Sequence, residues 1–130
     1  MKLKYLDLFI FNFGNKKNKR NMLVETLLNV EKFKKWSNNI GNTDIENYEP
    51  VLDAFTHFTY ENTNGLLIVV DLQGEKRGDT FLLTDPVIHC IRSNMFGETN
   101  FQLKGIVAFF QTHECNDICR SVNLAVEDMK

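Results

Sequence analysis

The sequence has 130 residues, a formal net charge of -2 and 43% hydrophobic residues. This length suits one domain with enough apolar residues to build a core, and eleven phenylalanines argue against disorder. A weakly acidic chain is not attracted as a whole to nucleic acid or to an anionic membrane, so we expect neither as a partner.

The cysteines and the opening segment indicate the compartment. Three cysteines are an odd number, which does not suggest a disulfide framework; metal ligation in a reducing compartment fits better. The apolar opening of residues 1–13 is interrupted by Asp7 and Asn12, lacks a small-residue cleavage site and is too short to span a bilayer. We therefore expect a soluble, cytoplasmic protein.

The first third of the chain predicts a strand, a loop and a helix. Residues 3–13 are rich in Leu, Phe and Ile and favour a strand. The basic run 16–20 is typical of a solvated loop. From residue 21 onward, apolar side chains follow a helical spacing that continues to Trp36, and this predicts a helix over 21–36.

The middle and end of the chain predict further alternation of helices and strands. A 3–4 apolar spacing predicts a helix over 46–61, with Pro50 near its start, and the apolar run 66–70 predicts a buried strand. We expect a polar, mobile loop over 75–81. Two more helices are predicted, one over 104–111 and a short one over 117–124 with Asp117 as its cap.

The segment HECNDIC, residues 113–119, places three soft metal ligands within seven residues: His113, Cys115 and Cys119. One short turn could present all three to a tetrahedral Zn²⁺. The fourth ligand would come from His57 or from the pair His89/Cys90. The alternative is that the two cysteines are buried small hydrophobes and that His113 caps a helix. The spacing, which is not that of the commonest zinc fingers, leaves both possibilities open.

Two neighbouring turns carry hard oxygen donors: Asp71 and Gln73 follow the buried strand, and Asp85 stands before a proline. Mg²⁺ favours one or two carboxylates together with phosphate oxygens, and an aspartate in such a group could accept a hydroxyl proton during phosphoryl transfer. The same residues also occur in plain turns. The sequence contains no Walker A motif, no GxGxxG and no His-Arg-Asp catalytic loop.

Four ordered motifs together closely resemble the alpha-kinases, the atypical protein kinase family of the myosin heavy-chain kinases, elongation-factor kinase and the channel-kinases. The motifs are AFTHFTYE (54–61), VDLQG (70–74), TDP (84–86) and THECNDIC (112–119). The resemblance runs from about residue 31 to residue 124. It implies an α+β fold, the C-terminal lobe of a protein-kinase-like structure.

The resemblance also implies an activity and its residues. The family phosphorylates Ser or Thr of protein substrates with Mg-ATP. Asp71 matches the family's catalytic aspartate, and Gln73 and Asp85 match its magnesium-binding positions.

The structural zinc ligands implied by the resemblance are His57, His113, Cys115 and Cys119, which favours His57 over His89. A looser match, FKKWSNNIG (33–41), implies nucleotide-side roles for Lys35 and Asn39.

The chain departs from the family pattern in three respects, one of which is a longer and more charged loop between Gly74 and Thr84. The family's glycine-rich loop reads Phe-Gly-x-Gly-Asn-Leu-Gly, whereas residues 96–102 read FGETNFQ, so Thr99 and Gln102 replace two glycines. Only about thirty residues precede the matched region, too few for the family's N-terminal lobe, which covers ATP.

We therefore expect residues 1–30 to be an extension or a remnant of that lobe and its hinge, 31–124 to be the C-terminal kinase lobe and 125–130 to be a tail. Activity would then require a complementing N-lobe segment or another chain. The alternative function is a non-catalytic, zinc-stabilised pseudokinase or partner-binding module.

Overall fold

The structure, a computed structural model, describes residues 1–43, 45–92 and 95–125. The strands are β1 (Lys2–Tyr5), β2 (Leu8–Asn15), β3 (Asn18–Glu25), β4 (Phe33–Lys35), β5 (Leu67–Val70), β6 (Gln73–Arg77), β7 (Thr80–Thr84) and β8 (Val87–Cys90). The α-helices are α1 (Pro50–Asn62), α2 (Leu103–Thr112) and α3 (Asp117–Ser121). Single turns of 3₁₀ helix lie at Val30–Lys32 and Ile45–Asn47.

The strands pair in three sheets within the described residues. One sheet has the strand order β1-β7-β6-β4, and its β1 and β7 run parallel. The strands β2 and β3 form an antiparallel hairpin, and β5 pairs with β8 in an antiparallel ladder. This mixture of helices and mainly antiparallel strands gives the α+β class that the sequence predicts.

The chain divides into two compact units. The strand-rich unit contains Met1–Phe33 and Gly74–Thr84, and the helical unit contains Lys34–Gln73 and the chain from Asp85 onward. In the strand-rich unit the side chains of Leu28, Phe81 and Leu83 are buried.

The helical unit has its own apolar core. That core is formed by Ile68, Val70, Val87, Ile106, Phe109 and Phe110, against which Tyr60 packs. Threonine hydroxyls of the helical unit also join α1 to β5, because the Val69 N–H donates to Thr59 Oγ1 (3.0 Å) and the Leu67 N–H donates to Thr63 Oγ1 (3.2 Å). The end of β5 is thereby fixed against α1.

Both longer helices are present as the sequence predicts, although α1 begins at Pro50, four residues after the predicted start at residue 46. Pro50 occupies the first turn of α1, where its missing N–H costs no hydrogen bond. The helix ends before Asn64 and Gly65, which both have positive φ. The helix α2 begins and ends within one residue of the predicted range 104–111. None of the helices in the described ranges has both the length and the apolar character needed to cross a membrane.

The predicted helix over 21–36 is wrong. The segment instead forms β3, a 3₁₀ turn and β4. In the hairpin Leu23 pairs with Ile10 and Val24 pairs with Phe9. The basic run 16–20 is a loop only in part, since β3 already begins at Asn18. Adjacent apolar residues satisfy a helical spacing and a strand equally well, and the neighbouring strand β2 supplies the backbone hydrogen bonds that decide between them.

The predicted mobile loop over 75–81 is also wrong, because these residues belong to β6, β7 and their turn. Glu75 is buried and accepts two hydrogen bonds from the Arg77 guanidinium, each of 2.9 Å, and one from the Asn29 N–H (3.0 Å). The Arg77 hydrogen bonds, followed by the one from Asn29, lower the pKa of Glu75 to about 2. Glu75 and Arg77 therefore pair with each other along β6.

The short helix α3 is present, but its cap differs from the prediction. Asn116, not Asp117, occupies the N-cap, and its side-chain oxygen accepts hydrogen bonds from the N–H groups of Ile118 (2.9 Å) and Cys119 (3.1 Å). Asp117 is the first helical residue and pairs with Arg120. Both residue types are good caps, so the sequence alone does not distinguish the two positions. Of the predicted tail 125–130, only residue 125 lies within the described residues.

The segment FGETNFQ holds a residue in an unfavourable backbone conformation. Gln102, just before α2, has φ 55° and ψ -140°, a region that is open essentially only to glycine. The neighbouring Asn100 is buried and holds the segment in place: its Oδ1 accepts hydrogen bonds from the N–H groups of Cys90 and Gln102, both 2.8 Å. Position 102, where the family has a glycine, therefore has a backbone conformation that favours glycine over the glutamine present.

We predict that Gln102→Gly stabilises the protein. Glycine adopts this φ and ψ without a Cβ clash, so the free energy of unfolding should rise by about 1 kcal/mol and the melting temperature by a few degrees. Thermal unfolding followed by circular dichroism measures this change. The matched control is Thr99→Gly, at the other replaced glycine, where φ is not positive and the added chain freedom should lower stability slightly. A lower melting temperature for Gln102→Gly would contradict the prediction.

Candidate functional site

Two imidazoles and two thiols converge in the helical unit. One ligand atom from each of His57, His113, Cys115 and Cys119 lies within 4.8 Å of every other. His57 Nδ1 is 3.1 Å from His113 Nε2. Cys115 Sγ is 3.7 Å from His57 Nδ1, and Cys119 Sγ is 3.8 Å from His113 Nε2.

These separations fit a tetrahedral zinc ion. With bonds of about 2.0–2.1 Å to nitrogen and about 2.3 Å to sulfur, tetrahedral angles place two nitrogens about 3.3 Å apart and a nitrogen and a sulfur about 3.6 Å apart. The one nitrogen–nitrogen and two nitrogen–sulfur distances given above agree with these values to within a few tenths of an ångström, and the other pairs of ligand atoms lie within 4.8 Å. Two histidines and two cysteines also fill all four positions, as in structural rather than catalytic zinc sites. The cluster could therefore hold a structural metal ion.

Each ligand is placed by a different local structure. His57 lies in the buried part of α1, and His113 ends α2, where its N–H donates to the Phe109 carbonyl (2.9 Å) and its ring stacks on Phe109 with centroids 4.7 Å apart. Cys119 lies in α3 and is fully buried, and this burial raises the pKa of its thiol. A bound metal would displace that thiol proton, which makes metal affinity dependent on pH.

The other candidate for the fourth ligand, His89, has both ring nitrogens engaged elsewhere. The Phe101 N–H donates to His89 Nδ1 (3.0 Å), so the ring proton lies on Nε2, which donates to the Asn39 carbonyl (2.7 Å). Burial lowers the pKa of His89 and thus favours this neutral form. The structure brings His57 to the cluster and places His89 and Cys90 outside it.

The residues of the predicted phosphotransfer group also come together in the helical unit. Asp71 follows β5 with its side chain 11% exposed, and its Oδ1 lies 2.5 Å from the Lys35 ammonium. Gln73 Nε2 donates to Asp71 Oδ2 (3.3 Å) and to the Asp85 carbonyl (3.1 Å). Asn39 is exposed, and its carbonyl accepts the His89 hydrogen bond.

The backbone at Asp71 has a left-handed conformation, with φ 59°. This conformation costs an aspartate less than most residues but still requires support. The segment after β4 supplies it: the Asp71 N–H donates to the Asn38 carbonyl (3.1 Å), the Leu72 N–H donates to Ser37 Oγ (3.0 Å), and the Leu72 carbonyl accepts from the Trp36 N–H (2.8 Å). These hydrogen bonds fix the direction of the Asp71 side chain.

This arrangement suits proton and cation chemistry. The Asp71 carboxylate retains a small exposed surface through which an approaching hydroxyl could donate a hydrogen bond. The Gln73 side-chain oxygen and the exposed Asp85 carboxylate are hard oxygen donors of the kind Mg²⁺ prefers. The Gln73 side-chain oxygen is available for this role because the contacts to Asp71 and Asp85 use the amide nitrogen instead.

Sequence reasoning missed three residues around these sites. Ser37 gave no local signal, because its hydrogen bond joins residues 35 positions apart. Asp53 and Glu61 lie beside the two histidines of the cluster, with His113 Nδ1 3.0 Å from Asp53 and His57 Nε2 3.8 Å from Glu61. Asp53 lies four residues before His57 and Glu61 four residues after it, so the side chains of Asp53, His57 and Glu61 lie on one face of α1. The pattern Asp-x3-His-x3-Glu would have indicated them.

Comparison with known proteins identifies the family. The sequence model of the alpha-kinase family matches residues 1–119, which includes the first thirty residues that the motif resemblance did not reach. The alpha-protein kinase vwkA of Dictyostelium discoideum is 38% identical over 103 residues, covering 79% of this chain and 16% of that protein.

The solved structures agree with the sequence comparison. An alpha kinase from Entamoeba histolytica superposes with a TM-score of 0.87 at 30% identity, over 98% of this chain and 55% of that one. An inactive alpha-kinase domain of myosin heavy chain kinase A, solved in complex with ATP, gives a TM-score of 0.81 at 32% identity, over 96% and 49%.

The chain belongs to the alpha-kinase family and has the fold of part of an alpha-kinase domain. It spans about half the length of these solved structures and less than a fifth of the curated relative.

We predict that Ser37→Ala destabilises the protein by about 1–3 kcal/mol, because the buried Leu72 N–H loses its acceptor. Urea unfolding monitored by tryptophan fluorescence measures the change. The same substitution at Ser121, which is exposed and donates to the Ile118 carbonyl, should change stability by less than about 0.5 kcal/mol. Equal losses in the two variants would show that the Ser37 hydrogen bond does not support the Asp71 turn.

Proposed function

We propose that this protein is an alpha-type serine/threonine protein kinase, which transfers the γ-phosphoryl group of Mg-ATP to a hydroxyl of a protein substrate. The observation that carries the proposal is the grouping of Lys35, Asp71, Gln73 and Asp85 after β5 in a chain of this family. The ATP complex of myosin heavy chain kinase A supports ATP as the phosphoryl donor.

In this proposal Asp71 is the catalytic residue. Its carboxylate accepts a hydrogen bond from the substrate hydroxyl and takes the proton while the hydroxyl oxygen bonds to the γ-phosphorus and ADP leaves. The Lys35 ammonium, 2.5 Å from Asp71 Oδ1, holds that carboxylate in place, and the resemblance to the family favours a role for Lys35 on the nucleotide side. Asn39 also acts on the nucleotide side, and its backbone is anchored by His89.

The residues that would hold magnesium are Gln73 and Asp85. Bound there, Mg²⁺ would neutralise negative charge on the phosphates of ATP. Gln73 fixes the geometry of this part of the site, because its amide nitrogen bridges the Asp71 carboxylate and the Asp85 backbone.

The cluster of His57, His113, Cys115 and Cys119 is proposed to bind one structural zinc ion. The ion would tie the segment after α2 to the middle of α1, to which these ligands belong. All three cysteines are free thiols, as zinc ligation and a cytoplasmic location both require.

The hairpin β2–β3 is proposed as the docking surface for a complementing kinase segment. Large apolar residues are exposed along both strands, and in the pleat they alternate between the two faces: Leu8, Phe9, Ile10, Phe11, Phe13, Met22, Leu23 and Val24. An isolated two-stranded hairpin is marginally stable, and exposed apolar surface of this kind marks interaction sites. The occupant that fits is the part of an alpha-kinase domain that has no counterpart in these residues.

This same exposed hairpin favours a second candidate function, a non-catalytic, zinc-stabilised module that binds a protein partner. The two functions differ in whether Mg-ATP is bound and used.

The kinase proposal predicts transfer of labelled phosphate from Mg-ATP to a threonine-containing protein, and loss of at least 100-fold of this activity in Asp71→Asn. The matched control is Asp79→Asn, an exposed aspartate at the turn between β6 and β7, which should retain full activity. Radiolabel incorporation measures the transfer, and a thermal shift with millimolar Mg-ATP measures nucleotide binding.

Each outcome separates the two candidates. Labelling that survives in Asp71→Asn would exclude the assigned catalytic residue. An absence of both labelling and thermal shift in the wild-type protein would exclude a kinase function for this chain by itself and favour the partner-binding module.

The zinc proposal predicts one equivalent of zinc in the purified protein. A structural zinc contributes on the order of 10–16 kcal/mol of apparent binding free energy, so chelation should unfold or aggregate the chain. Elemental analysis should show that His57→Ala has lost the metal.

The control is His89→Ala, a second buried histidine, which should keep the metal although it loses two hydrogen bonds. Metal loss in His89→Ala with retention in His57→Ala would overturn the ligand set.

A further inference from the structure

The helix α1 carries a carboxylate next to each histidine of the cluster. Asp53 and Glu61 stand four residues on either side of His57. His113 Nδ1 lies 3.0 Å from Asp53 Oδ2, and His57 Nε2 lies 3.8 Å from Glu61 Oε1. In both histidines this is the nitrogen that does not face the cluster, since His57 Nδ1 and His113 Nε2 face each other across 3.1 Å.

We propose that Asp53 is a positioning residue for the metal site, and this inference depends on the zinc binding proposed above. The Asp53 carboxylate, 3.0 Å from His113 Nδ1, favours the tautomer that carries the ring proton on Nδ1, and this tautomer leaves the Nε2 lone pair free for the metal position. A carboxylate in this role fixes the tautomer and orientation of the ring and makes the ligating nitrogen more basic.

Burial makes the Asp53 contact stronger than the Glu61 contact. The side chains of His113 and Asp53 are 2% and 8% exposed, whereas Glu61 is 30% exposed and its distance is longer. A short contact between buried groups is weakened less by solvent than a longer and partly solvated one. Asp53 is therefore assigned the main role and Glu61 a lesser one.

A polar network connects Asp53 to the cysteine side of the cluster. The Tyr48 hydroxyl lies 3.5 Å from Asp53 Oδ2 and accepts a hydrogen bond from Asn116 Nδ2 (3.3 Å). Asn116 Nδ2 also donates to the Pro50 carbonyl (2.9 Å), and its Oδ1 caps the Cys119 N–H. The N-terminal part of α1 thus orients His113 through Asp53 and the helix of Cys119 through Asn116.

The competing explanation is that the Asp53–His113 pair only stabilises the fold. A fold-stabilising pair would affect the metal-free and metal-bound forms equally, and metal affinity would not change. A positioning residue changes the affinity itself and changes which ring nitrogen binds.

The test compares the 130-residue chain with its Asp53→Ala and Asp53→Asn variants. Zinc affinity is measured by competition with a chromophoric chelator, and Co²⁺ absorption reports the ligand geometry. We expect Asp53→Ala to bind zinc about 10–100-fold more weakly. Asp53→Asn keeps an acceptor oxygen of the same reach and should lose less affinity, which also covers the case in which the alanine variant folds poorly.

The matched control is Asp117→Ala. Asp117 is an exposed aspartate between Cys115 and Cys119 that pairs with Arg120 and touches neither histidine ring. The Asp117→Ala substitution also removes one negative charge close to the site. A zinc affinity within about twofold of wild type would show that the effect of Asp53 comes from its contact with His113 and not from its charge alone.

Nitrogen-15 spectra of the histidine rings provide a readout that a purely structural role would not alter. We expect metallated Nε2 and protonated Nδ1 for His113 in the wild-type zinc form, with this pattern lost or mixed in Asp53→Ala. If wild-type protein binds zinc and Asp53→Ala matches it in affinity and ring pattern, the positioning role is wrong while the zinc site stands. If wild-type protein binds no stoichiometric zinc, the zinc site fails and the positioning role fails with it.

Discussion

The helical unit depends on the convergence of four ligand atoms between α1 and the segment that follows α2. Two imidazole nitrogens 3.1 Å apart and two thiols within 4.8 Å of them are a poor way to fill a core without an ion. A structural zinc supplies on the order of 10–16 kcal/mol of apparent free energy, while a whole domain is stable by only about 5–15 kcal/mol. The free energy contributed by the proposed ion would thus be comparable to the entire net stability of the fold.

The catalytic candidate is supported by backbone geometry more than by side-chain packing. Asp71 has positive φ, and the segment 36–38 holds it by hydrogen bonds to the backbone on both sides of the residue. The Lys35 ammonium comes from the residue just before that segment. Residues 35–38 therefore both fix the direction of the Asp71 carboxylate and provide its counter-charge.

What the sequence could predict follows from the range of the interactions involved. The helices α1 and α2 depend on local apolar spacing and could be predicted. The family could also be inferred, because its motifs are short stretches of the sequence itself. The helix over 21–36 was wrong because β3 depends on pairing with β2, which local spacing does not reveal. Ser37 was missed because its partner lies 35 residues away, and Gln102 was seen only as a departure because φ is not visible in a sequence.

The two sites of the helical unit are connected through α1 and β5. His57 and Thr59 are two residues apart on α1, and the Thr59 hydroxyl accepts the Val69 N–H of β5, two residues before Asp71. If the proposed metal binds and is then removed, any shift of α1 would move the end of β5 through this hydrogen bond. Packed elements joined in this way transmit strain, because protein interiors are dense and yield little. The proposed structural metal could in this way keep Asp71 in position without taking part in the proposed phosphoryl transfer.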